Sequence, residues 1–415
     1  MTKIGVIGGG IIGLSTAYYL TQAGHHVTIL EKGDLQTGCS LGNAGMIVPS
    51  HFIPLAAPGM ISKGIRWMFN SNSPFYVKPR LSAELLRWGY LFYKHANKTH
   101  VDAAIPALKE LSFFSKAMYQ QLAKTLPFDF GYHERGLLML YQSAEIEKEE
   151  LETAEIANHY GVEARVLSAE QVQELEPDVR VNARGGVYFP GDAHLTPQDL
   201  VSRMIAYLKS KGVTIRTDCE VIDFKIQNNQ IQSVNTNLGT YAFDEIVLAT
   251  GSWSGSVARQ LGLSLPMQAG KGYSFTLDHV KKNIRTPSIF LEARVAVTPM
   301  GEALRFGGTM EITGNNHNIS MNRVKGIVDA IPRYYPDMKV SMPPKEEVWH
   351  GLRPCSPDGL PYIGRSKKVH NLILATGHAM LGISLGPGTG KMIADLVDHK
   401  QPEVNLKPFD PERFD

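Results

Sequence analysis

Three glycines and an acidic residue near the start of the chain have the types and spacing that bind a dinucleotide. Gly8, Gly10 and Gly13 follow the pattern G-x-G-x-x-G, and Glu31 ends the next apolar segment. The first glycine makes a tight turn, the second lets the backbone approach a pyrophosphate, and the third lets a helix pack on a strand. A carboxylate at Glu31 would accept hydrogen bonds from ribose hydroxyls and repel a 2′-phosphate, which disfavours NADP. FAD and NAD remain open.

The elements that must position these residues form one strand–helix–strand unit. Lys3 to Ile7 is predicted to be a strand, Ile11 to Ala23 a helix, and His26 to Leu30 a second strand. The glycines therefore lie in the turn between the first strand and the helix. There the free N–H groups and the positive end of the helix dipole would face the phosphates.

Composition excludes several other classes of protein. The 415 residues are 43% hydrophobic and carry a net charge of +2, which indicates a globular chain of two domains or one large domain with an insertion, and no nucleic-acid partner. Cys39, Cys219 and Cys355 lie far apart, so neither a disulfide nor a metal site is predicted. Because no apolar run is long enough to span a membrane, we expect a cytoplasmic protein.

Residues 60–100 are both basic and aromatic. They contain seven Lys or Arg and one Glu, with several Trp, Tyr and Phe residues between them. One interpretation is a peripheral contact with an anionic surface at the inner face of the membrane. The other is a pair of helices that packs on the body of the protein and leaves a basic face in solvent. The sequence leaves both open.

The remaining strands predict an interleaved α/β fold. Apolar strands at 245–250 and 371–376 return late in the chain to the nucleotide-binding sheet, while alternating segments between 266 and 313 indicate a second sheet. We therefore predict a Rossmann-like FAD-binding domain interleaved with an α+β substrate domain that contains a mixed or antiparallel sheet. The predicted FAD-binding segments are 1–80, 150–260 and 350–415, and the predicted substrate-binding segments are 81–149 and 261–349.

Further glycine-rich turns favour FAD as the single dinucleotide. A second G-x-G-x-x-G, which an NADH-linked flavin reductase would need, does not occur. Gly42 to Gly45 and Gly377 to Gly390 could hold the rest of a long cofactor. A helix that begins near Gly388 would direct its dipole at the anionic reduced flavin. The segment ending at Lys391 departs from a P-loop, because Leu385 replaces its first glycine and no Ser or Thr follows the lysine.

Several motifs give the chain a family resemblance over nearly its whole length. They are GGGIIGLSTAYYL with VTILEK, CSLGNAGMI, PGDAHLTP, DEIVLATGSW, WHGLRPCSPDGLPYIG and NLILATGHAMLGISLGPGTGK. The chain resembles the glycine and D-amino-acid oxidase (DAO) family of FAD-dependent oxidoreductases, and within it the bacterial D-amino-acid dehydrogenase subunits. The resemblance implies a flavoprotein that oxidises an amino acid.

The resemblance also implies a set of cofactor-binding positions. They are Gly8, Gly10, Ile12, Gly13, Glu31, Lys32, Ser40, Asn43, Ala44, Gly45, Met46, Val221, Thr250, Gly251, Trp253, Gly377, His378, Leu381, Gly382 and Ile383. In the related sarcosine oxidases a cysteine anchors the flavin covalently. Gly351 stands at that position here, and Cys355 lies four residues away. We therefore expect non-covalent FAD.

Three side chains are candidates for contact with the substrate. The resemblance assigns Arg353, in the G-L-R-P motif, to the substrate carboxylate, and a guanidinium fork suits that task. His51 could line the substrate pocket or be a structural histidine. Tyr273 could direct its hydroxyl at a carboxylate or simply end a buried ring.

The predicted reaction is oxidation of the Cα–N bond of a D-amino acid, with D-proline and D-hydroxyproline among the candidates. A glycine or sarcosine oxidase is the alternative within the family, although Met380 replaces the second arginine of glycine oxidases and Ala296 lies where they carry a tyrosine. A flavin subunit that only relays electrons is the alternative from another class. The electron acceptor, a quinone of the respiratory chain or oxygen, stays open.

Overall fold

The computed structural model describes residues 1–60, 62, 75–78 and 80–415. The strands are β1 (Lys3–Ile7), β2 (His26–Leu30), β3 (Met46–Ile47), β4 (Phe75–Val77), β5 (Leu137–Tyr141), β6 (Arg165–Ser168), β7 (Gly185–Phe189), β8 (Ala193–His194), β9 (Thr214–Arg216), β10 (Val221–Gln227), β11 (Gln230–Thr236), β12 (Gly239–Tyr241), β13 (Glu245–Leu248), β14 (Gln268–Leu277), β15 (Ser288–Phe290), β16 (Val295–Met300), β17 (Ala303–Ile312), β18 (Trp349–Cys355), β19 (Tyr362–Arg365) and β20 (Leu372–Thr376). The α-helices are α1 (Ile11–Gln22), α2 (Ala83–His95), α3 (Lys98–Thr125), α4 (Ala144–His159), α5 (Ala169–Leu175), α6 (Pro197–Ser210), α7 (Ser254–Gln260), α8 (Met321–Tyr334) and α9 (Gly382–Val397).

A six-stranded sheet carries the glycine turn. Its order is β19-β20-β13-β1-β2-β9, and every neighbouring pair is parallel except β19 and β20 at the edge. The central strands are almost wholly buried, which fits their runs of Val, Ile and Leu. The predicted strand–helix–strand unit is confirmed, with α1 ending one residue earlier than expected.

The C-terminal helix α9 begins earlier than predicted. It starts at Gly382 and contains Pro387, so a helix beginning near Gly388 is wrong. Its glycines allow close helix packing instead of forming a turn. A Cβ on Gly390 would lie 2.5 Å from the Ser15 backbone of α1, and one on Gly388 would lie 2.8 Å from Ser115 of α3. Glycine is required at both sites because two neighbouring helices press on α9.

A nine-stranded sheet forms the second layer. Its order is β18-β14-β17-β16-β15-β5-β7-β6, and β4 pairs with β17. Most pairs are antiparallel, whereas β15 with β5 and β17 with β4 are parallel, so the sheet is mixed as predicted. Four of its strands differ from the predicted domain division. We assigned β4, β6, β7 and all but the first residue of β18 to the FAD-binding segments, but β4 pairs with β17, β7 with β5, β6 with β7, and β18 with β14.

The basic aromatic segment lies partly outside the described residues. Within them, β4 joins the mixed sheet and α2 continues the chain. Helix α2 buries Trp88, whose indole donates a hydrogen bond to the Cys355 carbonyl, while Leu86, Tyr90 and Tyr93 are exposed. Of the helices that the structure describes, none is long and apolar enough to cross a membrane.

Candidate active site

A cavity of about 960 Å³ lies between the two sheets. Its parallel-sheet wall carries Gly8, Gly10 and Glu31, and its mixed-sheet wall carries Tyr273, Ser274, Thr309 and Arg353. The structure brings most of the predicted positions into this one cavity. They are Gly8, Gly10, Ile12, Glu31, Lys32, Ser40, Asn43, Ala44, Met46, His51, Val221, Thr250, Gly251, Trp253, Tyr273, Arg353, His378, Leu381, Gly382 and Ile383. Gly13, Gly45 and Gly377 lie outside its lining.

The glycine turn has the steric requirements that its pattern predicts. Gly8 has φ +108°, and a Cβ there would lie 2.4 Å from the Ala249 carbonyl oxygen. A Cβ on Gly13 would lie 1.9 Å from the Gly8 oxygen, so this glycine lets α1 approach β1 rather than touch a ligand. The first intrahelical bond runs from Leu14 N to Gly10 O. The N–H groups of Ile12 and Gly13 precede it and have no acceptor within the helix.

Glu31 is oriented by backbone groups. Its Oε2 accepts from Gly9 N at 2.6 Å and its Oε1 accepts from Gly33 N at 2.8 Å. Each carboxylate oxygen keeps a free lone pair, which leaves it able to accept from a ribose hydroxyl. Nearby, Lys32 Nζ lies 3.7 Å from the centre of the Trp253 ring. The lysine and the tryptophan, which were predicted separately, therefore form one cation–π pair.

The loop after β2 closes over the start of α1. Ser40 Oγ accepts a hydrogen bond from Ile11 N at 2.9 Å and so caps the first turn of the helix. Farther along, Gly45 N donates to Asn43 Oδ1 at 2.9 Å. A Cβ on Gly45, where φ is +73°, would lie 2.2 Å from the Leu195 oxygen. Gly45 therefore shapes the loop, while its neighbours line the cavity.

The N-terminus of α9 also opens on the cavity. Gly382 lines the cavity, so the positive end of the helix dipole that we predicted near Gly388 lies at Gly382 instead. Before it, His378 is buried and its Nε2 lies 3.0 Å from Thr389 Oγ1. Burial lowers the pKa of His378 to about 3, so the ring is neutral at pH 7. Gly377, with φ +82°, packs against Tyr362 and forms the bend that leads into this segment.

Arg353 lies on β18 with its side chain across the mixed sheet. Its Nη1 donates to the Thr309 carbonyl at 2.6 Å, and a Cβ on Gly272 would lie 2.2 Å from Nη2. Gly272 therefore makes room for the guanidinium. No carboxylate of the described residues lies within 4 Å of it, and Asp358 is paired instead with Arg413 at 2.7 Å. Burial lowers the pKa of Arg353, so a carboxylate ligand would relieve an uncompensated cation.

His51 begins a hydrogen-bonded chain that leads away from the cavity. Its Nδ1 lies 3.1 Å from Ser50 Oγ, and Ser50 Oγ lies 2.5 Å from Asp192 Oδ2. The Ser50 amide also donates to Asp192 Oδ1 at 3.1 Å. Burial raises the pKa of Asp192 to about 7 and lowers the pKa of His51 to about 4, the latter helped by Arg294. The histidine is therefore neutral at pH 7.

Tyr273 lines the cavity, and its hydroxyl is already bonded within the protein. The hydroxyl donates to Glu311 Oε2 at 2.7 Å and accepts from Ser320 N at 3.1 Å. Glu311 is also paired with Lys271 at 3.3 Å and with Arg323. The carboxylate that meets this tyrosine thus belongs to the protein. A direct bond from Tyr273 to a substrate would require the hydroxyl to leave Glu311.

The cysteines are poorly placed for a covalent bond to a flavin. Cys355 is buried, its Sγ lies 4.0 Å from Met310 Sδ, and burial raises the pKa of the thiol to about 11. Cys39 lines the cavity, but its Sγ accepts from Leu352 N at 3.0 Å, and burial raises its pKa as well. A thiol needs to ionise to act as a nucleophile.

The cavity fits an extended dinucleotide. Three of its glycines, Gly10, Gly251 and Gly382, leave room where a side chain would otherwise stand. An ideal Cβ on any of them has no neighbour closer than 3.6 Å. The helices that begin at Ile11 and Gly382 both present their positive ends to this space.

Comparison with known proteins then decides the family. The family model for the DAO family, described as FAD dependent oxidoreductase, matches residues 3–396. The chain belongs to this family. It is an FAD-dependent oxidoreductase. A D-amino acid dehydrogenase of Helicobacter pylori is 32% identical over 405 residues, which cover 97% of this chain and 96% of the relative. One from Neisseria meningitidis is 30% identical over 426 residues and covers 99% of both.

Solved structures agree on the fold of this DAO-family chain. Glycine oxidase from Geobacillus kaustophilus has a TM-score of 0.79 and 23% identity and covers both chains fully. L-Proline dehydrogenase from P. horikoshii has a TM-score of 0.76 and 21% identity, covering 100% of this chain and 97% of its own. At such identities the likeness concerns the fold alone. The solved structures confirm the predicted fold class, and the family model confirms FAD.

Sequence reasoning missed three residues at or behind the cavity. Asp192 was read only as part of the PGDAHLTP turn, and Arg294, which lines the cavity, lies in a segment without a motif. Arg305 is 3% exposed and contacts the loop after β2. The one available sequence signal for Arg305 was its position in an apolar strand segment, where a charged residue is unexpected.

Proposed function

We propose that the chain oxidises the Cα–N bond of a D-amino acid. The observation that carries the proposal is the half-buried Arg353, a cation on the cavity wall with no carboxylate partner among the described residues. The assignment of the D form draws on the relatives named D-amino acid dehydrogenase, which align over nearly the whole chain. Cyclic substrates such as D-proline and D-hydroxyproline are included.

Arg353 would orient the substrate. Its Nη1 already donates to the Thr309 carbonyl, and the guanidinium has further N–H groups for a carboxylate. A fork of two charge-assisted bonds fixes both the position and the rotation of the substrate. FAD, when bound, accepts the hydride from Cα. The arginine's task is therefore to hold Cα–H in line with the ring during transfer.

His51 would accept a hydrogen bond from the substrate amine. When Asp192 is ionised, Ser50 donates its single hydroxyl proton to that carboxylate and must accept from the Nδ1–H of His51. This arrangement places the lone pair of the imidazole on Nε2. Because His51 lines the cavity, Nε2 is the atom available to a substrate amine.

The product is an imino acid. Relative to the ammonium form of the substrate, the iminium product has lost one hydride from Cα and one proton from nitrogen. Water hydrolyses an acyclic imino acid to a keto acid and ammonia, whereas a proline-derived product remains cyclic. The oxidised Cα–N bond thus defines the reaction for primary and secondary amines alike.

Oxidation of glycine or sarcosine is the competing assignment within the family. Met380 and Ala296 line the cavity at the positions that depart from the glycine oxidase pattern. Neither side chain offers a hydrogen bond to a carboxylate. Arg294 is the other arginine on the lining, and it could hold a second acidic group of a larger substrate.

A panel of amino acids with an artificial electron acceptor tests the proposal. The purified holoenzyme is assayed with paired D- and L-enantiomers, glycine and sarcosine, and keto acid or cyclic imine is measured as product. We expect turnover with one or more D-amino acids and at least tenfold less with their L-enantiomers. Preference for glycine or sarcosine would contradict the proposal, and so would a flavoprotein that turns over none of them.

We propose that the electron acceptor is reached at a membrane surface through helix α2. Leu86, Tyr90 and Tyr93 are 68%, 65% and 70% exposed, and their spacing places them along one face of the helix. Lys94, an exposed cation on the same helix, would attract anionic lipid. Cosedimentation with vesicles of anionic lipid should therefore fall in the triple variant L86S/Y90S/Y93S. Equal recovery of both proteins in the supernatant would contradict this contact.

A further inference from the structure

A buried arginine outside the cavity lining holds the loop that faces it. Arg305, on β17, donates through Nη1 to the Leu41 oxygen at 2.9 Å and to the Asn43 oxygen at 2.8 Å. Its Nε donates to Thr276 Oγ1 at 3.0 Å. Between these two carbonyls, the Gly42 oxygen accepts from Ser274 Oγ at 2.8 Å. Three consecutive carbonyls are therefore bound by side chains of the mixed sheet.

This arrangement determines where the amide hydrogens of the loop point. In a trans peptide the N–H lies opposite the C=O of the same unit. No cis peptide occurs among the described residues. With the carbonyls of residues 41–43 fixed to the sheet, the N–H groups of residues 42–44 point away from it. The Asn43 amide already donates to the Ser40 oxygen at 3.4 Å. Since Gly42 and Ala44 line the cavity, their amide hydrogens are the ones that the loop can offer there.

We propose that Arg305, assisted by Ser274, is a positioning residue that makes the loop at residues 41–44 an N–H surface for the flavin ring. A carbonyl that accepts from a guanidinium is polarised, and its peptide becomes a stronger N–H donor. Such donors favour an electron-rich ligand. The flavin ring gains electron density when it is reduced, so the arrangement stabilises the reduced cofactor.

The charge of Arg305 adds to this effect. The residue is 3% exposed, and no carboxylate of the described residues lies within 4 Å of its guanidinium. Burial lowers its pKa to about 10, which still leaves it protonated at pH 7. A buried cation behind the loop raises the potential on the cavity side and acts in the same direction as the N–H groups.

The loop has a tight steric contact at its centre. A Cβ on Gly42 would lie 1.9 Å from the Trp349 ring, so this residue must be glycine for the loop to reach the sheet. Glycine also gives the segment freedom to adopt other conformations. Arg305 and Ser274 supply the hydrogen bonds that select one of them, which explains why a charge is buried at this site.

Measurements of the bound flavin without substrate test the inference. Sulfite adds to oxidised flavin and forms an anionic adduct, so its dissociation constant reports the positive potential at the ring. We expect Arg305→Met to weaken sulfite binding at least tenfold. We also expect it to lower the two-electron reduction potential by about 30 mV, the equivalent of a tenfold change. Ser274→Ala should shift both in the same direction by a smaller amount, and Arg365→Lys, outside the cavity lining, should shift neither.

Other variants keep the inference falsifiable. Arg305→Lys retains the charge but cannot reproduce the fork, so its values should fall between those of the wild type and Arg305→Met. Wild-type values in Arg305→Lys would overturn the geometric role, and wild-type values in a folded Arg305→Met would overturn the whole inference. If Arg305→Met fails to fold, Ser274→Ala decides, and an unchanged sulfite affinity there contradicts the proposal. These readouts need FAD but no D-amino acid, so they are independent of the substrate assignment.

Discussion

The two walls of the cavity use different kinds of chemistry. The parallel-sheet wall offers backbone groups, with Glu31 as a carboxylate already oriented by two amides. The mixed-sheet wall carries Arg353, and Arg305 lies behind it, each without a carboxylate partner among the described residues. By contrast Arg365, at the far edge of the other sheet, is paired with Glu245 at 2.8 Å.

This difference indicates what each wall is built to receive. A buried cation is unfavourable unless an anion or several hydrogen bonds compensate it. Where the protein needs an arginine only for structure, it supplies the acid, as at Arg365. At Arg353 it supplies one carbonyl and leaves the remaining donors for a ligand. The parallel-sheet wall needs no such charge, because helix ends and amides suffice for phosphates.

Replacement of Arg353 should have the largest effect. It should weaken turnover of the substrate, which the mixed-sheet wall would hold, without changing FAD binding at the other wall. Two charge-assisted hydrogen bonds are lost in Arg353→Met, so kcat/KM for the best D-amino acid should fall by about 100-fold or more. The visible spectrum of bound FAD should be unchanged. Steady-state kinetics and the spectrum test this, with Arg259→Lys at the surface as the matched control. A fall below threefold would contradict the carboxylate role.

The Asp192 variant comes next and tests how the histidine is oriented. In Asp192→Asn the new amide donates to Ser50, whose proton then turns to His51 Nδ1, and Nε2 keeps a hydrogen. We expect kcat/KM to fall by roughly tenfold or more. Because burial raises the pKa of Asp192 to about 7, wild-type kcat/KM should rise as pH increases through that value. The same rise in the pH profile of Asp192→Asn would contradict the chain through Ser50.

A smaller effect is expected on the parallel-sheet wall. Glu31→Gln keeps one acceptor oxygen but loses the charge, so the dissociation constant of FAD should increase about tenfold, equivalent to one charged hydrogen bond. Fluorescence titration of the apoprotein with FAD measures it. The turnover number at saturating FAD should stay within twofold of wild type, and Glu84→Gln serves as the surface control. Unchanged FAD affinity would remove Glu31 from the cofactor site.

The smallest effect is expected at Cys39, one of two cysteines on the cavity lining with Cys219. Its thiol is bonded to Leu352 and burial raises its pKa, so it should not attack FAD. Acid precipitation of wild type and Cys39→Ser should release all of the yellow colour to the supernatant in both. Flavin that stays with precipitated wild-type protein, but not with the variant, would contradict non-covalent binding.

The walls also differ in how far they could be predicted from sequence. Gly8, Gly13 and Glu31 lie within one short unit, so spacing alone fixes their geometry. Arg305 and Leu41 are 264 residues apart, and only the folded sheet brings them together. The same limit applies to Asp192, which contacts His51 through Ser50. Asp192 and Ser50 are 142 residues apart in the sequence.

Glycine was the residue type most often misread. Those at 386–390 were predicted to form a turn, although their purpose is to let α9 pack against α1 and α3. Spacing cannot separate these uses, because a missing side chain serves a turn and a close helix contact equally well. Likewise, β4, β6, β7 and most of β18 were assigned to the FAD-binding segments although they belong to the mixed sheet, since strand pairing over such distances has no local signal.

Anaerobic reduction of the bound flavin by the two enantiomers of one amino acid tests the central claim most directly. The holoenzyme is mixed with the D- or the L-form of the best substrate of the panel, and loss of flavin absorbance is followed by stopped flow. The account predicts rapid reduction by the D-form, at least tenfold slower reduction by the L-form, and loss of the fast phase in Arg353→Met at the same substrate concentration. Equal rates with both enantiomers, or a fast phase that survives in Arg353→Met, would contradict it.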